Sequence, residues 1–390
     1  LDLASSVYNF SYTMLIPARG ITTFQEIGEL IDIGQTMIVS FQDSMDFVDQ
    51  FKVSRKSTAL PNQELNKDDL DRTIQKVENL AGTLTDARGR MLRIAVPYFP
   101  KKEFIGYLDN LIENLTQLHE VLPVFEKMFV TQQAKIYLVM FQNNMELRPT
   151  GGFIGSFALL NILKGKILNF DIIDVYTADG QLKGHVDPPL PIRKYLNQPN
   201  WFLRDSNFDP DFAATSLQAA WFLQKEMGTS VDGVIGINLF FVQNLLKVTG
   251  PLSLPDFPGE VVGSDNFFFK AHYFAQSNFF PGSTQKKDFL NSVAKQIQFR
   301  LTESRNISWF DLFTVVRKSL DEKNILLFSV DSDLQLDIEK SAWGGRMIKV
   351  GCLSGNINQV KGVADTQNCF PDYLSVNEAN LGVNKANYAI

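Results

Sequence analysis

The chain reads as a mixed α/β protein with an all-helical region in front, and three observations carry that reading. Long stretches before residue 130 repeat apolar residues every three to four positions, the period of an amphipathic helix. From Lys135 the texture changes to short β-rich runs. Those runs then alternate with helical patterns, the order that builds a layered α/β domain.

In the front region, residues 1–130, Asn66 is placed to cap a helix, with Asp68 and Asp69 in its first turn. Leu70, Ile74, Val77, Leu80, Leu84 and Met91 then form one stripe. Lys101–Val121 repeats the pattern through Phe104, Leu108, Leu111, Leu115 and Leu118, and Pro97, Pro100 and Pro123 are read as punctuation between helices. Phe24–Phe51 reads as a further long helix and Leu60–Gln63 as a linker. No catalytic grouping stands out here. A packed bundle or stalk is expected, with a partner-binding helical surface as the alternative.

Residues 131–390 form the second region. Ile136–Phe141 reads as a strand. Phe153–Leu163 and Ile167–Val175 are two more, joined by a tight turn at Lys164-Gly165-Lys166. A helix is expected over Ala213–Lys225. Val231–Ile237 is a strand leading into Asn238, a good N-cap, and a helix to Val248. Gly250-Pro251 breaks that helix before a strand at Leu252–Leu254. Helices over Thr284–Leu301 and Trp309–Leu320, a strand at Ile325–Val330 and a last strand near Tyr373–Val376 complete the pattern. His272 is read as lying on a strand.

Composition narrows the function classes. The chain has 390 residues and 45% hydrophobic content, enough for about two cores. Its 37 basic and 43 acidic side chains leave a net charge of −6, so no nucleic-acid partner is expected. Phe occurs 32 times, which points to core or interface. No apolar run reaches the ~18 residues of a membrane span. The chain begins at Leu1 without a basic n-region. We therefore expect a processed or truncated piece whose membrane anchor lies upstream. Cys352 and Cys369 sit close together in a Gly/Asn-rich segment. They read either as a disulfide in an oxidising compartment, stabilising by roughly 3 kcal/mol, or as two separate buried thiols.

Three segments carry candidate chemistry. The first, QNNMELRPTGGFIGS, ends a strand with Asn143 and Asn144, followed by Glu146, Arg148 and the pair Gly151-Gly152. Paired glycines let backbone N–H groups approach an anion, and Arg148 offers a bidentate fork for phosphate. The competing reading is a tight turn with Arg148 paired to an acid. The second, FLRDSNFDPDF, sets Arg204-Asp205 before Asp209 and Asp211. Three carboxylates and an arginine can hold a divalent cation, expected as Mg2+, with a phosphate. They can equally make a polar turn and a helix cap. The third is Lys286-Lys287 at a helix start, against the dipole preference and explained either by a bound anion or by solvated lysines. The three histidines are dispersed, and no nucleophile elbow or phosphate-binding Walker pattern is present.

The stretch QNNMELRPTGGFIGSF resembles the signature of a bacterial family named domain of unknown function 4012. FLRDSNFDPDF, VDGVIGINLFFVQNLLKVTGPLSL, TQKKDFLNSVAKQI and DYLSVNEANLGVNKANY resemble further motifs of it in order, over roughly residues 135–390. That family usually carries membrane helices upstream. It is in turn distantly similar to the LytR–CpsA–Psr proteins, which transfer phosphate-linked glycopolymers from a polyprenyl pyrophosphate carrier to peptidoglycan using Mg2+. The resemblance implies an α/β/α layered domain with a central mixed sheet. It implies roles for Arg204 and Asp205 in catalysis, Arg148, Lys286 and Lys287 in holding pyrophosphate, and Asp205 with Asp209 or Asp211 in holding the metal. The expected partner is a lipid-linked glycopolymer or another envelope component, on an extracytoplasmic, membrane-anchored protein that can form oligomers. The later basic positions are lysines here where those enzymes have arginines. The alternative is a surface scaffold, adhesive or polymer-binding module without catalysis.

Overall fold

The computed structural model describes residues 28–40, 65–94, 100–144, 146–276, 285–303 and 309–347. The chain divides into two compact units. The first takes in Leu1–Lys135, Asn161–Leu168 and Phe299–Arg305; the second takes in Ile136–Leu160, Asn169–Gln298 and Asn306–Ile390.

The first unit contains helix α1 (residues 28–40), α2 (Lys67–Arg93) and α3 (Lys101–Phe129). Asn66 caps α2, its side chain accepting from the Asp68 N–H at 3.1 Å. The predicted stripe is the buried face: Leu70, Val77, Leu80, Leu84 and Met91 lie inward together with Thr73 and Ala87. Leu30, Ile33 and Met37 of α1 and Leu108 of α3 close the same core. Pro123 does not punctuate. It lies inside α3, which runs on to Phe129. At a helix interior proline costs one hydrogen bond and crowds the preceding turn; the flanking Val124 and Met128 are buried and hold the helix together past it. The outer parts of the predicted Phe24–Phe51 helix and the Leu60–Gln63 linker lie outside the described residues.

The second unit is built on a five-stranded mixed sheet of order β3-β2-β1-β4-β7. Its strands are β1 (Lys135–Asn143), β2 (Phe153–Leu163), β3 (Lys166–Asp174), β4 (Gly233–Asn238) and β7 (Ile325–Ser329). β1 and β4 pair in parallel, with Val139 opposite Ile235, and β4 pairs antiparallel with β7, with Ile235 opposite Leu327. Strands β2 and β3 form the expected hairpin. Its two loop residues, Lys164 at φ 49° and Gly165 at φ 76°, both take the left-handed region, as a tight turn between twisted strands requires.

All five residues of β7 are buried, and so are five of the six in β4. Successive strand side chains point to opposite faces, so both faces of this part of the sheet are covered. The larger core joins Leu138 and Met140 of β1, Ile154 and Phe157 of β2, Val234 of β4 and Phe328 of β7. Against them pack Val175 and Ala178 of α4 (Val175–Asp179) and Phe212, Ala219, Phe222 and Leu223 of α6 (Phe212–Met227). Between these two helices lies the short α5 (Leu190–Tyr195).

Asn238 caps α7 (Leu239–Thr249), accepting from the Phe241 N–H at 3.2 Å, and Gly250 ends it at φ 75°. A second, smaller core gathers Leu246, Leu252, Val262, Phe267 and Phe289. Strands β5 (Leu252–Ser253) and β6 (Val261–Val262) pair only with each other. His272 sits on α8 (Phe267–Gln276), a helix and not the strand expected. Phe-rich FFFKAHYF has strong β propensity, yet Phe267 and Phe274 at i and i+7 both reach the small core, so helical burial overrides propensity. α9 (Gln285–Glu303), α10 (Trp309–Asp321) and α11 (Ser332–Lys340) complete the described elements. The strand expected near Tyr373–Val376, and Cys352 with Cys369, lie outside them.

Candidate functional site

The parallel pair β1/β4 ends at Asn143 and Asn238. The loop after β1 and the turn before α6 meet beyond that end, the side of an open α/β sheet where ligands usually bind. In the loop, Gly151 at φ 85° and Gly152 at φ 113° fold back over the end of β1. A Cβ on Gly151 would run into the Gln142 side chain, and one on Gly152 into the Asn143 carbonyl. Their close approach is therefore to the protein's own strand. Gln142, 2% exposed, donates to the Thr150 carbonyl, and Asn207 donates to the Gly152 carbonyl at 2.7 Å, so the loop is pinned from both sides. Asn144 accepts from the Leu239 N–H at 3.3 Å, tying the end of β1 to the start of α7.

This pinned loop delivers Arg148. Its Nη2 lies 3.4 Å from Asp205 Oδ1 and 3.5 Å from Glu146 Oε1, and its guanidinium stands 5.2 Å from the Phe153 ring. Arg204 arrives from a single 3-10 turn, Leu203–Asp205. Its Nε lies 3.4 Å from Asp205 Oδ2, its Nη1 donates to Asp179 Oδ2 at 2.7 Å, and its Nη2 donates to Gln198 Oε1 at 3.2 Å. The rings of Phe202 and Tyr176 lie 4.4 and 5.3 Å from the same guanidinium. Planar guanidinium stacks on such faces and loses rotamer freedom there. Two arginines 56 positions apart in sequence thus close on the two oxygens of one carboxylate, Asp205, which is only 4% exposed.

Two further acids stand behind Arg204. Asp179, at the end of α4, has its carboxyl pushed up to about 6, first by burial, with Arg204 pulling the other way. Glu226, in the last turn of α6, is pushed up to about 7 by burial and by the nearby Asp179 charge. Its Oε1 accepts from the Leu203 N–H at 3.2 Å. Several buried polar atoms around the cluster have no partner among the described residues: Arg148 Nε, Thr150 Oγ1, Ser206 Oγ, Asn207 Oδ1, Asp179 Oδ1 and Glu226 Oε2. Native proteins leave few such atoms, and they concentrate where ligands or catalysis use them.

The structure brings together Arg148, Arg204, Asp205 and the loop glycines. Asp209 and Asp211 are used elsewhere. Asp209 accepts from the Asp211 N–H at 2.8 Å. Asp211 caps α6 through Ala213 and Ala214 and accepts from the Met347 N–H at 3.1 Å. Asp205 is already shared by two guanidiniums. Among the described residues no group of three or more His, Cys, Asp or Glu side chains could hold a metal ion. The expected Mg2+ ligand set does not fit this arrangement, and no step is derived through a metal. Lys286 and Lys287 fall in the first turn of α9, where the sequence set them; their side chains lie outside the described set. Asp179, Glu226, Gln198, Phe202 and Tyr176 were not marked by sequence. Glu226 alone carried a signal, an acid in the last turn of a helix, against the dipole preference.

Against known proteins, residues 132–271 match the family model described as "Protein of unknown function (DUF4012)". Over those residues the match bears out the resemblance to domain of unknown function 4012, and it covers the loop, both arginines and the β4–α7 unit; it does not reach the later motifs or the LytR–CpsA–Psr similarity. No curated protein matches the chain. Among solved structures, the Lin1025 protein from Listeria innocua is similar at 14% identity, covering 54% of this chain and 98% of that one, with a TM-score of 0.27. Among the described residues no helix is long and apolar enough to cross a membrane.

Proposed function

We propose that the second unit binds a pyrophosphate-bearing carrier of the cell envelope, a polyprenyl-pyrophosphate-linked glycopolymer, through Arg148 and Arg204, on an extracytoplasmic and membrane-anchored protein. The convergence of both arginines on one buried carboxylate carries this reading. A single anion already bridges the two guanidiniums, so their spacing suits one phosphate-type headgroup, which would displace Asp205 from between them. Among the described residues Arg148 Nε is a buried donor without a partner, and so is the Thr150 hydroxyl; both are of the kind that phosphate oxygens accept from. The position beyond the ends of β1 and β4 is the usual ligand side of such a sheet.

If the headgroup is transferred, the transfer reaction has an acceptor hydroxyl attacking phosphorus. The P–O bond to the departing polyprenyl phosphate breaks with its electron pair, the hydroxyl proton leaves with the released polyprenyl phosphate, and the arginines stabilise the developing charge. Arg204→Ala is expected to abolish binding of polyprenyl pyrophosphate while the circular dichroism spectrum and the cooperative unfolding transition persist. Unchanged lipid binding in that folded variant would refute the reading.

One observation favours a second reading. Glu146, Asp179 and Asp205 outnumber the two arginines they touch, so the cluster neutralises itself and can serve as a rigid clasp in a non-catalytic scaffold or polymer-binding module. In that case Arg204→Ala lowers stability and leaves lipid binding as it was.

A further inference from the structure

Arg204 is held at two points by acids that no ligand contact accounts for. Asp179 grips its side chain at 2.7 Å from α4. Glu226 grips the backbone one residue earlier, through the Leu203 N–H, from α6. Both acids are nearly sealed from water, at 5% and 4% exposure, and each keeps one buried oxygen without a partner among the described residues, Asp179 Oδ1 and Glu226 Oε2. Two buried carboxylates cannot both ionise cheaply behind one guanidinium that also faces Asp205.

We propose that Asp179 and Glu226, two buried carboxyls that hold the Leu203–Asp205 turn from α4 and α6, position Arg204 for its anion and set the negative charge behind it by their protonation. The ligand part of this rests on the reading above; the protonation part does not. The charged groups facing the pair are Arg204 and Asp205 from the 3-10 turn, with Asp179 itself facing Glu226 from α4. Burial and the Asp179 charge place the Glu226 titration near neutrality. With Glu226 protonated and Asp179 ionised, between about pH 6 and 7, one negative charge balances Arg204 from behind and its remaining field reaches an incoming anion. With Glu226 ionised, a second negative charge stands behind the guanidinium, and the anion binds less well.

The sign for stability follows from the same groups. The folded state holds the Glu226 proton more tightly than the unfolded chain, whose glutamate titrates at 4.5. The stabilisation from the two raised acids is fully present below their unfolded values and is lost as pH rises through about 6 for Asp179 and about 7 for Glu226.

The test compares wild type, Glu226→Gln and Asp179→Asn over pH 5 to 8, with two readouts on the full chain. The first is the thermal unfolding midpoint. The second is affinity for inorganic pyrophosphate by calorimetry, each variant compared with wild type at the same pH so that the probe's own titration cancels. In wild type the midpoint should fall between pH 5 and 7.5. Affinity should weaken severalfold beyond the change in Glu226→Gln, which keeps a neutral side chain and should lose the part of both dependences near pH 7 while Asp179, raised to about 6, keeps the part below it. Asp179→Asn removes the charge that holds the proton on Glu226, so the wild-type fall should move to lower pH. It decides the matter if Glu226→Gln does not fold. Stability profiles that are identical in wild type and the variants would overturn the pair. Absent pyrophosphate binding at every pH, with the stability profiles behaving as stated, would sink the function reading and leave the pair standing.

Discussion

Gly152 shows how the site loop is fixed by its own residues. At φ 113° a side chain is strained, and the carbonyl of Asn143 occupies the space a Cβ needs. Gly152→Ala should cost about 2 kcal/mol or more in denaturant unfolding, and pyrophosphate affinity should fall with it because Arg148 hangs from the same loop. A variant as stable as wild type would show that the loop is less constrained than the structure has it. The Thr-Gly-Gly turn was legible in sequence; its purpose was not. A glycine pair reads equally as a place for a ligand or for the chain's own strand, and only coordinates show that Gln142 and Asn143 fill the space. Arg148 and Arg204 were picked out by residue type. Their shared partner Asp205 was picked as a metal ligand, whereas it sits between two guanidiniums. Asp179 and Glu226 carry no motif, since burial and not spacing gives them their character.

The helices and strands were read well where one period ran long enough. The stripe from Leu70 to Met91 becomes the buried face of α2, and its Asn66 cap is the one the sequence places. Asn66→Ala should lower the stability of the helical unit by about 1 kcal/mol, measured by chemical denaturation. No change would mean that the α2 start is held by packing alone. The strands β1, β2 and β3 fell within a residue or two of their expected ends, because apolar β-branched runs bounded by a Lys-Gly turn leave little choice. The misreadings have physical causes. Pro123 reads as a break, yet buried neighbours on either side carry the helix through it. The segment around His272 has β-forming residues, yet its phenylalanines reach a core at helical spacing. The short α4 and the turn at Leu203–Asp205 are too brief to show a period, and they carry the most important side chains of the site.

For the whole molecule, the sequence supports a helical region followed by a mixed α/β region, with the family match over residues 132–271. The mixed sheet order β3-β2-β1-β4-β7 could not be read from the strands, since pairing partners are set by packing across the sheet and not by local pattern. The account stands on one claim, that Arg148 and Arg204 together hold a pyrophosphate-type headgroup. The most direct test is mass spectrometry of lipid extracted from the protein purified out of its native membranes, alongside the Arg148→Ala/Arg204→Ala double variant. The account predicts a polyprenyl pyrophosphate bound to the wild type and lost from the folded double variant. No phosphorylated lipid on the wild type, or equal retention by both, would contradict it.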